Sequence, residues 1–168
     1  MRCKRIFGCF FSAVLLFSSL PVVQPLAADT AAVLYVSDSG TDTADGQTPD
    51  TPLGTVAKAI ELLDKTQSSE RTIRIIGTAT VSAHLPAHTQ SVRIVGNDAA
   101  ATLKTTRDIR INGPLSLDSI RLNTGDKPLL CDRNALHIGA NVTLTSNETE
   151  LVSGYQGTWS ASLNCNAQ

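Results

Sequence analysis

From Arg71 onward the chain is a succession of short β-rich runs with few rings among them. That pattern limits the fold more than any other feature. The runs are 72–76, 78–81, 91–95, 102–104, 108–111, 115–117, 119–122, 135–138 and 142–144, each three to five residues long. Most are bounded by Gly, Asn, Asp or Pro. Within them aliphatic residues alternate with polar ones, the period-two signature of a strand with one buried face. Two share a shape, Ile73-Arg74-Ile75-Ile76-Gly77 and Val92-Arg93-Ile94-Val95-Gly96, offset by 19 positions. Ile109-Arg110-Ile111-Asn112-Gly113 and Ile120-Arg121-Leu122-Asn123 echo them. Recurrence at roughly 20–25 residues is the spacing of a solenoid, in which each coil stacks on the next.

Composition separates this reading from a β-sandwich, which also has many short strands. All four Phe lie in the first 17 residues, and beyond Asp29 the rings are Tyr35, Tyr155 and Trp159. The core is therefore aliphatic, and β-branched aliphatics stack well on their own kind. Hairpin signals are scarce, with one Asn-Gly at Asn112-Gly113. Asn97, Asn112, Asn123 and Asn141 stand at run ends and suit left-handed corners or short polar ladders. Arg74, Arg93, Arg110 and Arg121 fall on outward positions, where a ladder of charge discourages edge aggregation.

The N-terminus has a different character. Residues 1–5 carry Arg2, Lys4 and Arg5, residues 6–20 are apolar, and Pro21 and Pro25 precede Ala27 and Ala28. This is the layout of a secretory signal peptide over residues 1–28, cleaved after Ala27 or Ala28. The alternative is an uncleaved membrane anchor, for which the stretch is short. Beyond it remain 11 basic and 15 acidic side chains, a net charge of −4. No basic stripe for nucleic acid and no further membrane span is present. Export leaves Cys131 and Cys165, either two thiols or a disulfide. A bridge would close a loop of about 35 residues and contribute roughly 3–4 kcal/mol.

Residues 29–70 precede the repeats. Residues 33–37 read as a strand, and residues 38–53 as a loop rich in Asp, Thr, Gly and Pro. A helix follows, with Thr55 as its cap and Val56, Ala59, Ile60, Leu62 and Leu63 on one face. Tyr35-Val36-Ser37, Gly40, Asp42, Asp45-Gly46, Pro49, Pro52 and Thr55 together resemble the opening of secreted bacterial right-handed parallel β-helix proteins of the pectin-lyase-like superfamily. The resemblance covers about 30 residues and implies an all-β fold, a right-handed parallel β-helix over residues 71–168 whose N-terminal end the helix caps. Family proportions imply about four to five coils. The superfamily holds lyases, glycosidases, epimerases and non-catalytic surface proteins, so the fold alone assigns no activity.

The candidate chemistry is sparse. Asp38, Asp42 and Asp45 lie at spacings that could ligate Ca²⁺, although Asp is also a routine turn residue. No other cofactor is indicated. His84 and His88 stand four apart, but Pro86 argues against a helical metal site, and surface loop positions are the simpler reading. Asp98, Asp108, Asp118, Asp126 and Asp132 offer many carboxylate pairs for glycoside hydrolysis and no preferred one. Tyr155 and Trp159 could stack on a sugar ring or close the C-terminal end. Two functions follow as expectations. One is a secreted or cell-surface non-catalytic β-helix module, or the N-terminal piece of a longer one, that contacts polysaccharide or another surface component. The other is a polysaccharide-active lyase or glycoside hydrolase.

Overall fold

A computed structural model describes residues 31–131 and 136–146, together with the backbone of 152–153 and 164–165. The elements in order are β1 (Ala32–Val36), α1 (Val56–Asp64), β2 (Arg71–Ile75), β3 (Thr78–Val81), β4 (Val92–Gly96), β5 (Thr102–Thr105), β6 (Ile109–Arg110), β7 (Leu115–Asp118), β8 (Arg121–Gly125), β9 (Leu129–Leu130), β10 (Leu136–Ile138), β11 (Thr143–Ser146), β12 (Val152–Ser153) and β13 (Asn164–Cys165). Every strand pairing is parallel. Sheet A runs β1-β2-β4-β7-β10, sheet B runs β13-β11-β8-β5-β3, and sheet C runs β12-β9-β6. From β4 onward each turn of the chain gives one strand to each sheet, and the molecule is a parallel β-solenoid of about three turns.

That is fewer than the four to five coils expected. Three sides per turn consume strands quickly, and the stretch after β3 supplies no third strand. Residues 84–88 take that place as a loop. The Leu85 N–H donates to the Arg110 carbonyl, and His84 Nδ1 accepts the Arg110 N–H at 3.0 Å.

The interior is built as like upon like. Leu34, Ile73, Ile94, Leu117 and Ile138 form one inward row across all five strands of sheet A. Ala79, Leu103, Leu122 and Leu144 form the corresponding row of sheet B. All nine are buried. Fully burying a Leu or Ile stabilises a fold by about 1.5–3 kcal/mol, and the inner members Ile73, Ile94, Leu117, Leu103 and Leu122 also have an aliphatic neighbour on both sides.

The register differs from the likeness between the two Arg phrases. Ile73 lies opposite Ile94 and Thr72 opposite Arg93, an offset of 21 rather than 19. A slip of two residues preserves which side chains point inward, so alternation alone does not distinguish the two alignments. The four arginines form no single ladder, because Arg74 and Arg93 lie in sheet A, Arg121 in sheet B and Arg110 in sheet C. Of the four asparagines, only Asn141 takes the left-handed conformation, at φ 56°. Gly77, at φ 61°, and Ser119, at φ 48°, turn the A-to-B corners of other coils.

Helix α1 forms where expected. Thr55 Oγ1 accepts the Lys58 N–H at 3.1 Å, and Val56, Ala59, Ile60 and Leu63 are buried. The helix packs against β1, β2 and β3. Its C-terminal end is held by Arg71, whose Nε donates to the Leu63 carbonyl at 3.1 Å and whose Nη2 donates to the Thr66 carbonyl at 2.9 Å. A cation there also meets the negative end of the helix dipole. The outer edge of β1 is covered by the loop. Gly46 and Leu53 carbonyls accept from the Tyr35 and Ser37 N–H groups, and the Leu53 N–H donates to the Tyr35 carbonyl. A bare parallel edge would invite pairing with another chain, and this loop removes it.

Candidate functional site

The aspartate loop holds three separate clasps. Asp38 accepts from the Thr80 N–H and hydroxyl at 2.6 and 2.7 Å, joining the loop to β3. Asp42 accepts from the Gly54 and Thr55 N–H groups and the Thr55 hydroxyl, at 3.0, 2.9 and 2.8 Å, at the start of α1. Asp45 accepts from the Thr51 hydroxyl at 2.6 Å and the Gln47 N–H at 3.0 Å. The Thr51 hydrogen bond, with help from Gln47, lowers the Asp45 pKa. Among the described residues, no three His, Cys, Asp or Glu side chains gather in a way that could hold a metal ion.

The two histidines are structural. His84 is exposed and caps Arg110, as above. His88 is buried rather than a surface residue, with Nδ1 3.0 Å from the Pro86 carbonyl and Nε2 3.1 Å from the Pro114 carbonyl. Gly113 sits against its ring, and a Cβ there would collide with the His88 carbonyl oxygen. The Asn-Gly dipeptide thus marks a close approach between coils, not a hairpin.

Cys131 is buried in the core. Cys165 pairs with Leu144 through the β13 backbone, and its side chain lies outside the described residues. Residues 1–28, Asp132, Tyr155 and Trp159 also lie outside them.

The structure brings polar groups together at two places. On the outer face of sheet A, Thr72, Arg93, Ser116 and His137 stand in one row. Arg93 forms an ion pair with Asp118, which also accepts from the Ser119 hydroxyl at 3.0 Å. Burial alone would raise the Asp118 pKa. The Arg93 hydrogen bond, then Ser119 and the charges of Arg93 and His137, outweigh it and bring the pKa below the usual carboxylate range. A depressed carboxylate stabilises the fold at neutral pH and loses that contribution as pH falls below about 4. Asp118→Asn should therefore flatten the acid limb of the stability curve, read from urea midpoints between neutral and acid pH. The effect should be about 0.2–1 kcal/mol, because Arg93 is 56% exposed.

The second place is the A-to-B corner. Four such corners follow β2, β4, β7 and β10, and they hold two, five, two and four residues. The short corner Ser119-Ile120 therefore lies between two longer ones along the solenoid. The longer loop at 97–101 is braced by Asp98 Oδ1, which accepts the Ala100 N–H at 2.8 Å. The mismatch leaves a cleft of about 430 Å³ lined by Gly96, Asp98, Ala99, Ser119, Ile120, Arg121, Asn141 and Thr143. A groove on sheet A lined by Glu70, Thr72, Arg74 and Arg93 meets it at Gly96 and Ser119.

The sequence pattern singled out Asp98, Arg121 and Asn141 but not the cleft. Its only signal is the unequal spacing between successive runs.

Fold and site together define a parallel β-solenoid with a polar cleft at one corner. No protein-family model matches the chain, and comparison with curated proteins and with solved structures finds no match.

Proposed function

We propose that this protein is an exported, non-catalytic β-helix module that contacts polysaccharide. In this reading the solenoid is right-handed and of the pectin-lyase-like kind. Helix α1 covers its N-terminal end, and residues 1–28 direct export. The buried face of α1 against β1, β2 and β3 supports the capping role. The observation that carries the binding role is the corner cleft. Its lining combines a guanidinium, a carboxylate, an amide and hydroxyls, the mixed donors and acceptors that sugar hydroxyls need. Asp98 is the one acid among its lining residues, whereas glycoside hydrolysis uses two carboxylates.

Affinity electrophoresis of the purified protein through pectin, alginate, glucan and glycosaminoglycan gels tests the reading. It expects retardation by at least one polymer, with no release of reducing ends or unsaturated products. No retardation by any of them would contradict the binding role, and turnover would contradict the non-catalytic one. Turnover would favour the second reading, a polysaccharide-active enzyme, which the grouping of Asp118, Arg93 and His137 favours. In that case Asp118→Asn would abolish the activity.

A further inference from the structure

The corner cleft contains several polar groups with no protein partner among the described residues. The Arg121 guanidinium has none, although its backbone N–H donates to the Ala101 carbonyl. Asp98 uses Oδ1 on Ala100 and keeps Oδ2 open. The Asn141 amide and the Thr143 hydroxyl are likewise open. Three other arginines are engaged, Arg93 by Asp118, Arg71 by the end of α1 and Arg107 by Asp108, whereas Arg74 on sheet A is as open as Arg121. Ser119 and Asn141 hold left-handed backbones on either side of Arg121 in sequence. Such a conformation costs a non-glycine residue about 1–2 kcal/mol.

The charges decide the ligand class. A site built for an anion would have Arg121 without a facing carboxylate. Here Asp98 lines the same cleft, so a phosphate or carboxylate group would gain from one and lose to the other. A hydroxyl both donates and accepts, and two adjacent hydroxyls satisfy a carboxylate and a guanidinium together. We propose that the cleft is a monosaccharide-sized subsite for a vicinal diol. Asp98 Oδ2 accepts from one hydroxyl, Arg121 donates to its neighbour, and Asn141 and Thr143 complete the contacts. The subsite rests on the carbohydrate reading above and locates it. No ring lines the cleft, so a single sugar binds in the millimolar range and affinity for a polymer comes from repetition.

The test is a titration of the ¹⁵N-labelled protein with methyl α-mannoside, methyl β-galactoside and methyl β-glucoside, with tetrahydropyran as a control lacking hydroxyls. At least one glycoside should shift the amides of 98–99, 119–121 and 141–143, and tetrahydropyran should not. Arg121→Gln and Asp98→Asn should each weaken binding about tenfold, the scale of one charged hydrogen bond. Lys104→Gln, exposed on sheet B outside the cleft, should leave it unchanged. Unchanged amide dispersion elsewhere would show that the variants fold. Shifts that map elsewhere, shifts shared with tetrahydropyran, no shift with any glycoside, or equal binding by all the variants would overturn the subsite. Polymer retardation that survives Arg121→Gln would overturn the subsite and leave the polysaccharide reading standing. Glycoside shifts at the cleft without any retardation would do the reverse.

Discussion

Ile94→Ala should lower the unfolding free energy by about 2–5 kcal/mol, seen as a fall in the urea midpoint. Ile94 is fully buried on β4, the middle strand of sheet A, with Ile73 on one side and Leu117 on the other. Truncation removes its own burial and leaves a void that two fixed neighbours line. A solenoid makes such a loss expensive, because stability is a sum of coil terms and of the interfaces between them. Ile94 belongs to two of those interfaces. Ile94→Val should cost about 0.5–1.5 kcal/mol, since one methylene is lost and the stack persists. Arg93→Ala, one residue away on the outer face, should cost no more than about 1 kcal/mol. If Ile94→Ala were as mild as Arg93→Ala, the inward row would be wrong.

Arg71→Met should be the costliest change to a polar residue, at about 2–3 kcal/mol. Arg71 is 7% exposed, and its guanidinium joins the end of α1 to the start of β2. Met keeps most of the volume and removes the donors. The Leu63 carbonyl retains the Thr66 hydroxyl at 2.8 Å, while the Thr66 carbonyl loses the Arg71 donor. Arg71→Lys should recover only part of the loss, because an ammonium lacks the planar fork that reaches two carbonyls at once. Thermal melts of the three proteins measure this directly. Equal melting temperatures for wild type and Arg71→Met would remove Arg71 from the account of how α1 is held.

How much of this was legible in the sequence depends on the length scale of the signal. Most strand positions were legible, because alternation is local and the runs are punctuated, but the two-residue strands β9, β12 and β13 fall in none of the runs. The helix and its Thr55 cap were legible for the same reason. Register was not. The phrases at Ile73 and Val92 match best at 19 residues, yet the coils stack at 21, and both offsets keep the same side chains inside.

The corner residues were only partly legible. Asn141 turns left-handed as its type suggests, but Ser119 does so at one of the two shortest corners, where two residues must turn the chain from sheet A to sheet B. Nothing in the sequence set Arg71 apart. Its burial follows from a tertiary contact eight residues back, at Leu63. The candidate site was least legible, because it arises from a difference in loop length between coils rather than from a motif.

The measurement that bears most directly on the central claim is a methyl NOESY spectrum of selectively labelled protein. Parallel stacking puts the Ile94 methyl groups against those of Ile73 and Leu117, and the Leu117 methyl groups against those of Ile138. Cross-peaks for all three pairs are the result this fold predicts. Their absence, with Ile94 instead meeting inward residues of an antiparallel neighbour, would contradict the solenoid and the cleft that depends on it.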